Sequence, residues 1–111
     1  MTTLYLAFAN PVEGREAEFL DWYEHTHVPD LLVTPGFTSA RRFTLHPRSE
    51  AVYPPPPQRY LVIYELDGDV ETAMGHIASR VESGEIVLSD AMDFTSVSMS
   101  FWGPLGPTLT A

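Results

Sequence analysis

The chain has 111 residues, 44% hydrophobic and 19% charged, which is the profile of one globular domain (1–111) rather than a disordered segment. Six arginines, no lysine and fifteen acids give a formal charge of −9, so phosphate backbones and anionic membranes are repelled, and neither nucleic acid nor a membrane is an expected partner. Cysteine is absent, which excludes disulfides, thiolate metal sites and cysteine nucleophiles. No apolar run approaches the roughly 18 residues that span a bilayer, and the start lacks the basic region of a signal peptide, so a cytoplasmic domain is expected.

Leu4 to Ala9 sets Leu4, Leu6 and Phe8 against Tyr5, Ala7 and Ala9 and stops at the turn pair Asn10-Pro11, which predicts a first strand. From about Arg15 the spacing becomes helical. Phe19, Trp22, Tyr23 and Thr26 fall on one side and Glu18, Asp21 and His25 on the other, with Pro29 expected to end or kink the helix. Pro35-Gly36 marks a turn, Phe37 to Leu45 a second strand and Arg59 to Leu66 a third. Between those strands, 46–58 carries Pro54-Pro55-Pro56-Pro57, which forbids a sheet ladder and predicts a stiff, extended surface loop.

Asp67-Gly68-Asp69 offers a turn and an N-cap for a second helix from Val70 to about Val81, with Val70, Ala73, Met74, Ile77 and Val81 as its apolar stripe and Gly84 as its stop. Residues 85–91 fit no class. Phe94 to Trp102 alternates Val97, Met99 and Phe101 against Ser96, Ser98 and Ser100, a fourth strand, and 103–111 is an irregular tail. The order strand, helix, strand, strand, helix, strand predicts an α+β, ferredoxin-like βαββαβ fold: a four-stranded antiparallel sheet with both helices on one face. The other face still carries apolar side chains and needs a cover, for which a homodimer pairing sheet against sheet is the economical answer.

The densest group of chemically useful side chains is Asp21 to Asp30. On a helix His25 and His27 point roughly 200° apart. His25 shares the polar side and is expected in solvent, whereas His27 lies at the edge of the aromatic stripe, one turn after Tyr23, where it can either anchor the chain or do acid–base work. The string His25-Thr-His27-Val-Pro-Asp30 superficially suggests a metal site, but a helix turns the two imidazoles apart, so no metal is expected. His76, near Arg80, reads as structural. Arg41 and Arg42 point to opposite sheet faces, and one is either salt-bridged or free to clamp an anion.

Asn10-Pro11, Gly14-Arg15-Glu16, Phe19-x-x-Trp22-Tyr23-x-x-x-His27-Val28-Pro29, Pro35-Gly36-Phe37 and Arg41-Arg42-Phe43 together resemble the EthD-like branch of the dimeric α+β barrel superfamily. The resemblance covers roughly the first 45 residues and implies a homodimer with a small-molecule pocket between sheet and helices in each subunit. It also implies that the histidine at His27 is the acid–base residue. The resulting expectation is a lyase, isomerase or cyclase that uses no cofactor and acts on an aromatic, lactone or polyketide-like carbonyl compound. His27 and Tyr23 would be catalytic, Arg42 would steady negative charge, and Trp22 and Phe19 would wall the pocket. A monooxygenase without a cofactor, or a non-catalytic ligand-binding domain, are the alternatives on the same fold.

Overall fold

Side chains of a strand alternate between two faces, so four apolar-patterned segments can pair into a sheet with a distinct inner and outer surface. The computed structural model describes residues 2–51 and 53–111. Its strands are β1 (Thr2–Pro11), β2 (Phe37–Thr44), β3 (Tyr60–Asp67) and β4 (Met92–Trp102), all antiparallel neighbours in the order β2-β3-β1-β4. Helix α1 (Glu16–Trp22) runs through a π-helical turn (Tyr23–His27) into α2 (Val28–Leu32), α3 (Pro47–Ala51) is a single turn, and α4 (Val70–Glu82) precedes β4. The main elements follow the expected ferredoxin-like order.

Register explains where the core sits. Tyr5 of β1 stands opposite Tyr64 of β3 on one side and Phe101 of β4 on the other, and Ala7 stands opposite Val62 and Met99. Tyr5, Val62 and Tyr64 of these rows share a core with Phe19, Tyr23, Val28 and Leu31 of the first helical segment and Ala73 of α4, with Ala7 packed against it, so both helices cover the same face. The intervening residues Leu4, Leu6, Phe8, Leu61, Ile63 and Phe43 form the opposite face by the same alternation.

Several sequence expectations are corrected here. Pro29 does not end the helix, which continues to Leu32. The Val28 N–H bonds to the Tyr23 carbonyl, five residues back, and this wider turn makes room for a proline ring that a regular turn would clash with. The extra residue also delays the return to the sheet, so His27 faces inward and Thr26 is exposed. Within 46–58 the chain is not wholly extended, because Pro47 to Ala51 closes one helical turn; Val52 lies outside the described residues. The prolines that follow form no strand. Asn10 secures their far end, its Nδ2 donating to the Pro57 carbonyl at 2.9 Å and its Oδ1 accepting from the Arg59 N–H at 2.7 Å. The tail 103–111 is irregular, as expected.

Local punctuation is where the sequence placed it. Asp69 caps α4, its carboxylate accepting from the Thr72 N–H at 2.9 Å. Gly36 turns the chain into β2 at φ +97°, and a Cβ there would meet the Asp67 carbonyl oxygen at 3.1 Å. Gly75 sits in α4 with open space where its Cβ would be. Replacing each glycine by alanine therefore has opposite effects in urea denaturation: Gly36→Ala lowers stability by about 1–2 kcal/mol through left-handed strain, and Gly75→Ala raises it by about 1 kcal/mol through helix propensity.

Candidate functional site

A cavity arises wherever the elements around a point bring no side chain long enough to fill it. On the helix-facing row of β1 the residues after Tyr5 are Ala7 and Ala9, small groups in an inner strand of the sheet. Above them opens a cavity of about 370 Å³. Val97 and Met99 of β4 extend its floor, Tyr23, His27 and Leu31 form one wall, and Ile77 and Val81 of α4 form another. Ile86, buried, and Leu88, at the exposed rim, close it from the segment that the sequence pattern could not classify. Arg80 fixes this frame: it donates to the Asp30 carbonyl at 2.6 Å, to Thr34 Oγ1 at 2.8 Å and to Glu85 at 3.0 Å, tying α4 to the end of α2.

The π turn presents His27 to this space. A backbone bonded five residues back stacks side chains five apart, and Trp22 and His27 lie ring on ring, with centroids 4.6 Å apart and planes 23° from parallel. Trp22 is itself held by its indole N–H, which donates to the Val87 carbonyl at 3.2 Å. Nδ1 of His27 is sealed from solvent and has no partner, which leaves Nε2 as the nitrogen through which the ring can meet a guest. Burial pushes the imidazole down to about 4, only partly opposed by the nearby charge of Asp30. His27 is therefore neutral at pH 7. A helix C-terminus does not favour its charged form, because the helix continues past it.

Three phenols accompany the imidazole. Burial pushes Tyr23 up to about 12, with Tyr5 adding a smaller push, and raises Tyr5 and Tyr64 as well, so all three keep their protons. Tyr5 and Tyr64 stack at 5.4 Å, and the Tyr5 hydroxyl donates to Met99 Sδ at 2.7 Å. Tyr64 Oη is sealed without a partner. Among the described residues the Tyr23 hydroxyl also has no protein partner, but it is not sealed.

The sequence-derived residues divide accordingly. His27 and Tyr23 both line the cavity. Phe19 and Trp22 do not: Phe19 is fully buried, edge-on to Tyr23 at 4.8 Å, and Trp22 backs His27. Their expected role as pocket walls is corrected: Phe19 packs under the Tyr23 ring and Trp22 stacks on the His27 ring, so both support the lining residues. Arg42 is on the helix-facing side but lines a different hollow and pairs with Glu24 at 2.9 Å. Arg41 is on the outer face over the Phe43 ring. His25 is exposed, near Asp21, and His76 is exposed on α4. Tyr5 and Tyr64 were missed; each reads as an ordinary strand residue until the register places them side by side. Among the described residues, no group of three or more His, Cys, Asp or Glu is placed to hold a metal, and no helix is long and apolar enough to cross a membrane.

No family model matches the chain, and no curated protein matches it in sequence. Solved structures match its fold. An EthD (ethyl tert-butyl ether D) family protein from Bacillus halodurans superposes with a TM-score of 0.64 at 16% identity, over 95% of this chain and 100% of that one. A protein of unknown function from Nitrosomonas europaea gives 0.56 at 14% identity over 99% and 94% of the two chains. A third protein, from Mycobacterium tuberculosis, gives 0.54 at 13% identity over 98% and 100% of the two chains. The small α+β fold is thus shared with an EthD family protein.

The buried imidazole makes stability depend on pH. Because the fold holds His27 at about 4 against an ordinary 6.5, the unfolded chain binds the proton more readily. Its contribution is complete above about pH 6.5 and is lost as pH falls towards 4, by up to about 3 kcal/mol. Urea denaturation at pH 7 and pH 4.5 is expected to show a larger loss in the wild type than in His27→Phe, which keeps a ring against Trp22 and removes the titration.

Proposed function

We propose that this domain is a cofactor-independent lyase, isomerase or cyclase for a small carbonyl compound, with His27 as the proton-transferring group. The observation supporting this reading is an uncharged, unpartnered imidazole turned towards an otherwise apolar cavity. A neutral imidazole is in the right form to take a proton from the carbon beside a carbonyl at Nε2 and return it elsewhere on the molecule. The Tyr23 hydroxyl, which stays protonated, donates to the carbonyl oxygen where negative charge gathers. The imidazolium and the enolate formed together offset one another's charge in a cavity walled mainly by apolar side chains.

Deuterium incorporation beside the carbonyl of a ketone such as 2-tetralone, followed by NMR in heavy water, tests the proton transfer directly. His27→Ala is expected to lower the protein-dependent rate about 10²–10⁴-fold, and Tyr23→Phe to lower it by a smaller factor. The rate falls in acid with a midpoint near 4, where His27 becomes charged. Undiminished exchange in His27→Ala defeats the reading. A ketone that raises thermal stability without exchanging identifies a binding domain instead, and oxygen uptake with phenols identifies a monooxygenase.

The outer sheet face belongs to the same proposal. Leu4, Leu6, Phe8, Leu61, Ile63 and Phe43 form an apolar surface that a second copy of the chain covers, sheet against sheet. Analytical ultracentrifugation is expected to find twice the chain mass, and Leu6→Asp to shift the particle to a monomer. A monomeric wild type contradicts this pairing.

A further inference from the structure

We infer that the cavity selects an uncharged guest carrying a hydrogen-bond acceptor, and that it excludes carboxylates of the same shape. This rests on reading the cavity as a ligand site and specifies what that site takes. None of the six arginines is among its lining residues. Two arginines on the cavity's side of the sheet are occupied: Arg42 pairs with Glu24, and Arg80 is spent on Asp30, Thr34 and Glu85. The helix that carries His27 runs past the cavity unbroken, so it presents no free N-terminal N–H groups there.

The groups that do face the guest are neutral. His27 and the three tyrosines all hold their uncharged forms, and the remaining lining residues are aliphatic, aromatic or methionine side chains. A carboxylate entering this space loses its hydration and finds no cation, which is costly. The domain's charge of −9 opposes its approach as well. A ketone, lactone or ester loses little hydration and can accept from the unpartnered Tyr23 hydroxyl. A hydrocarbon fits the walls but leaves that donor unpaired. The anion clamp that a carboxylate substrate needs is therefore missing from this site, although the sequence places two adjacent arginines in β2.

Three matched probes test this by isothermal titration at pH 7: 2-acetonaphthone, 2-naphthoate and 2-ethylnaphthalene. The ketone is expected to bind at least tenfold more tightly than the carboxylate and severalfold more tightly than the hydrocarbon. In Leu88→Arg, which adds a cation at a rim residue that is 43% exposed, the preference for ketone over carboxylate should narrow by about tenfold. Equal or tighter binding of the carboxylate to the wild type overturns the inference while leaving the ligand site intact, as does a preference unchanged in Leu88→Arg. Equal binding of ketone and hydrocarbon overturns its acceptor requirement. Failure of all three to bind removes the ligand site and the inference together.

Discussion

The stacking of His27 on Trp22 across one π-helical turn is the contact on which the rest of the site depends. An α-helical turn at this point would set residues five apart on diverging directions and carry the imidazole off the cavity wall. The bond from the Val28 N–H to the Tyr23 carbonyl widens the turn, brings the two rings into register and lets Pro29 follow without breaking the helix. Trp22 is fixed in turn by the Val87 carbonyl, so the segment after α4 and the first helical segment hold the ring jointly. Local backbone irregularity here is part of the device that aims a side chain.

The space that ring faces has its own cause. Alanines at 7 and 9 lower the floor of the sheet, while Arg80 holds α4 at a fixed place against α2 and keeps it from settling. A void lined by apolar groups costs stability through contacts not made. Burying a histidine and a tyrosine hydroxyl without partners adds to that cost. A sequence that could have closed the gap with larger side chains at 7 and 9, and did not, is consistent with a space meant for a guest.

Much of this was legible in the sequence because two periods carry most of the information. The alternation in β1 and β4 fixed which residues share a face, and the helical stripes fixed what packs against them. His27 could be separated from His25 by angle alone, and Asp69 and Gly36 announced a cap and a turn by chemistry. The π turn was not legible: inserting it changes no residue type, and Pro29 in a helical pattern pointed only to an end or a kink. The cavity walls were not legible for a related reason. Strand register decides that Tyr5 meets Tyr64 and that Arg42 turns to Glu24, and register is set by pairing between segments some sixty and twenty residues apart, beyond any local window. The segment after α4 carries no period at all, so Ile86 and Leu88 could be placed only by the fold.

The fold shared with an EthD family protein leaves chemistry to be argued from the site itself, since one scaffold hosts many activities. What this site offers is a neutral imidazole and neutral phenols around an apolar space, and the proposed proton transfer follows from the state of that one ring. A titration of the His27 ring resonances by NMR measures it most directly. A midpoint near 4 is expected, far below that of a solvated imidazole. A midpoint at the ordinary 6.5 or above would mean that the ring stands in water, and the proposed site would lose its central group.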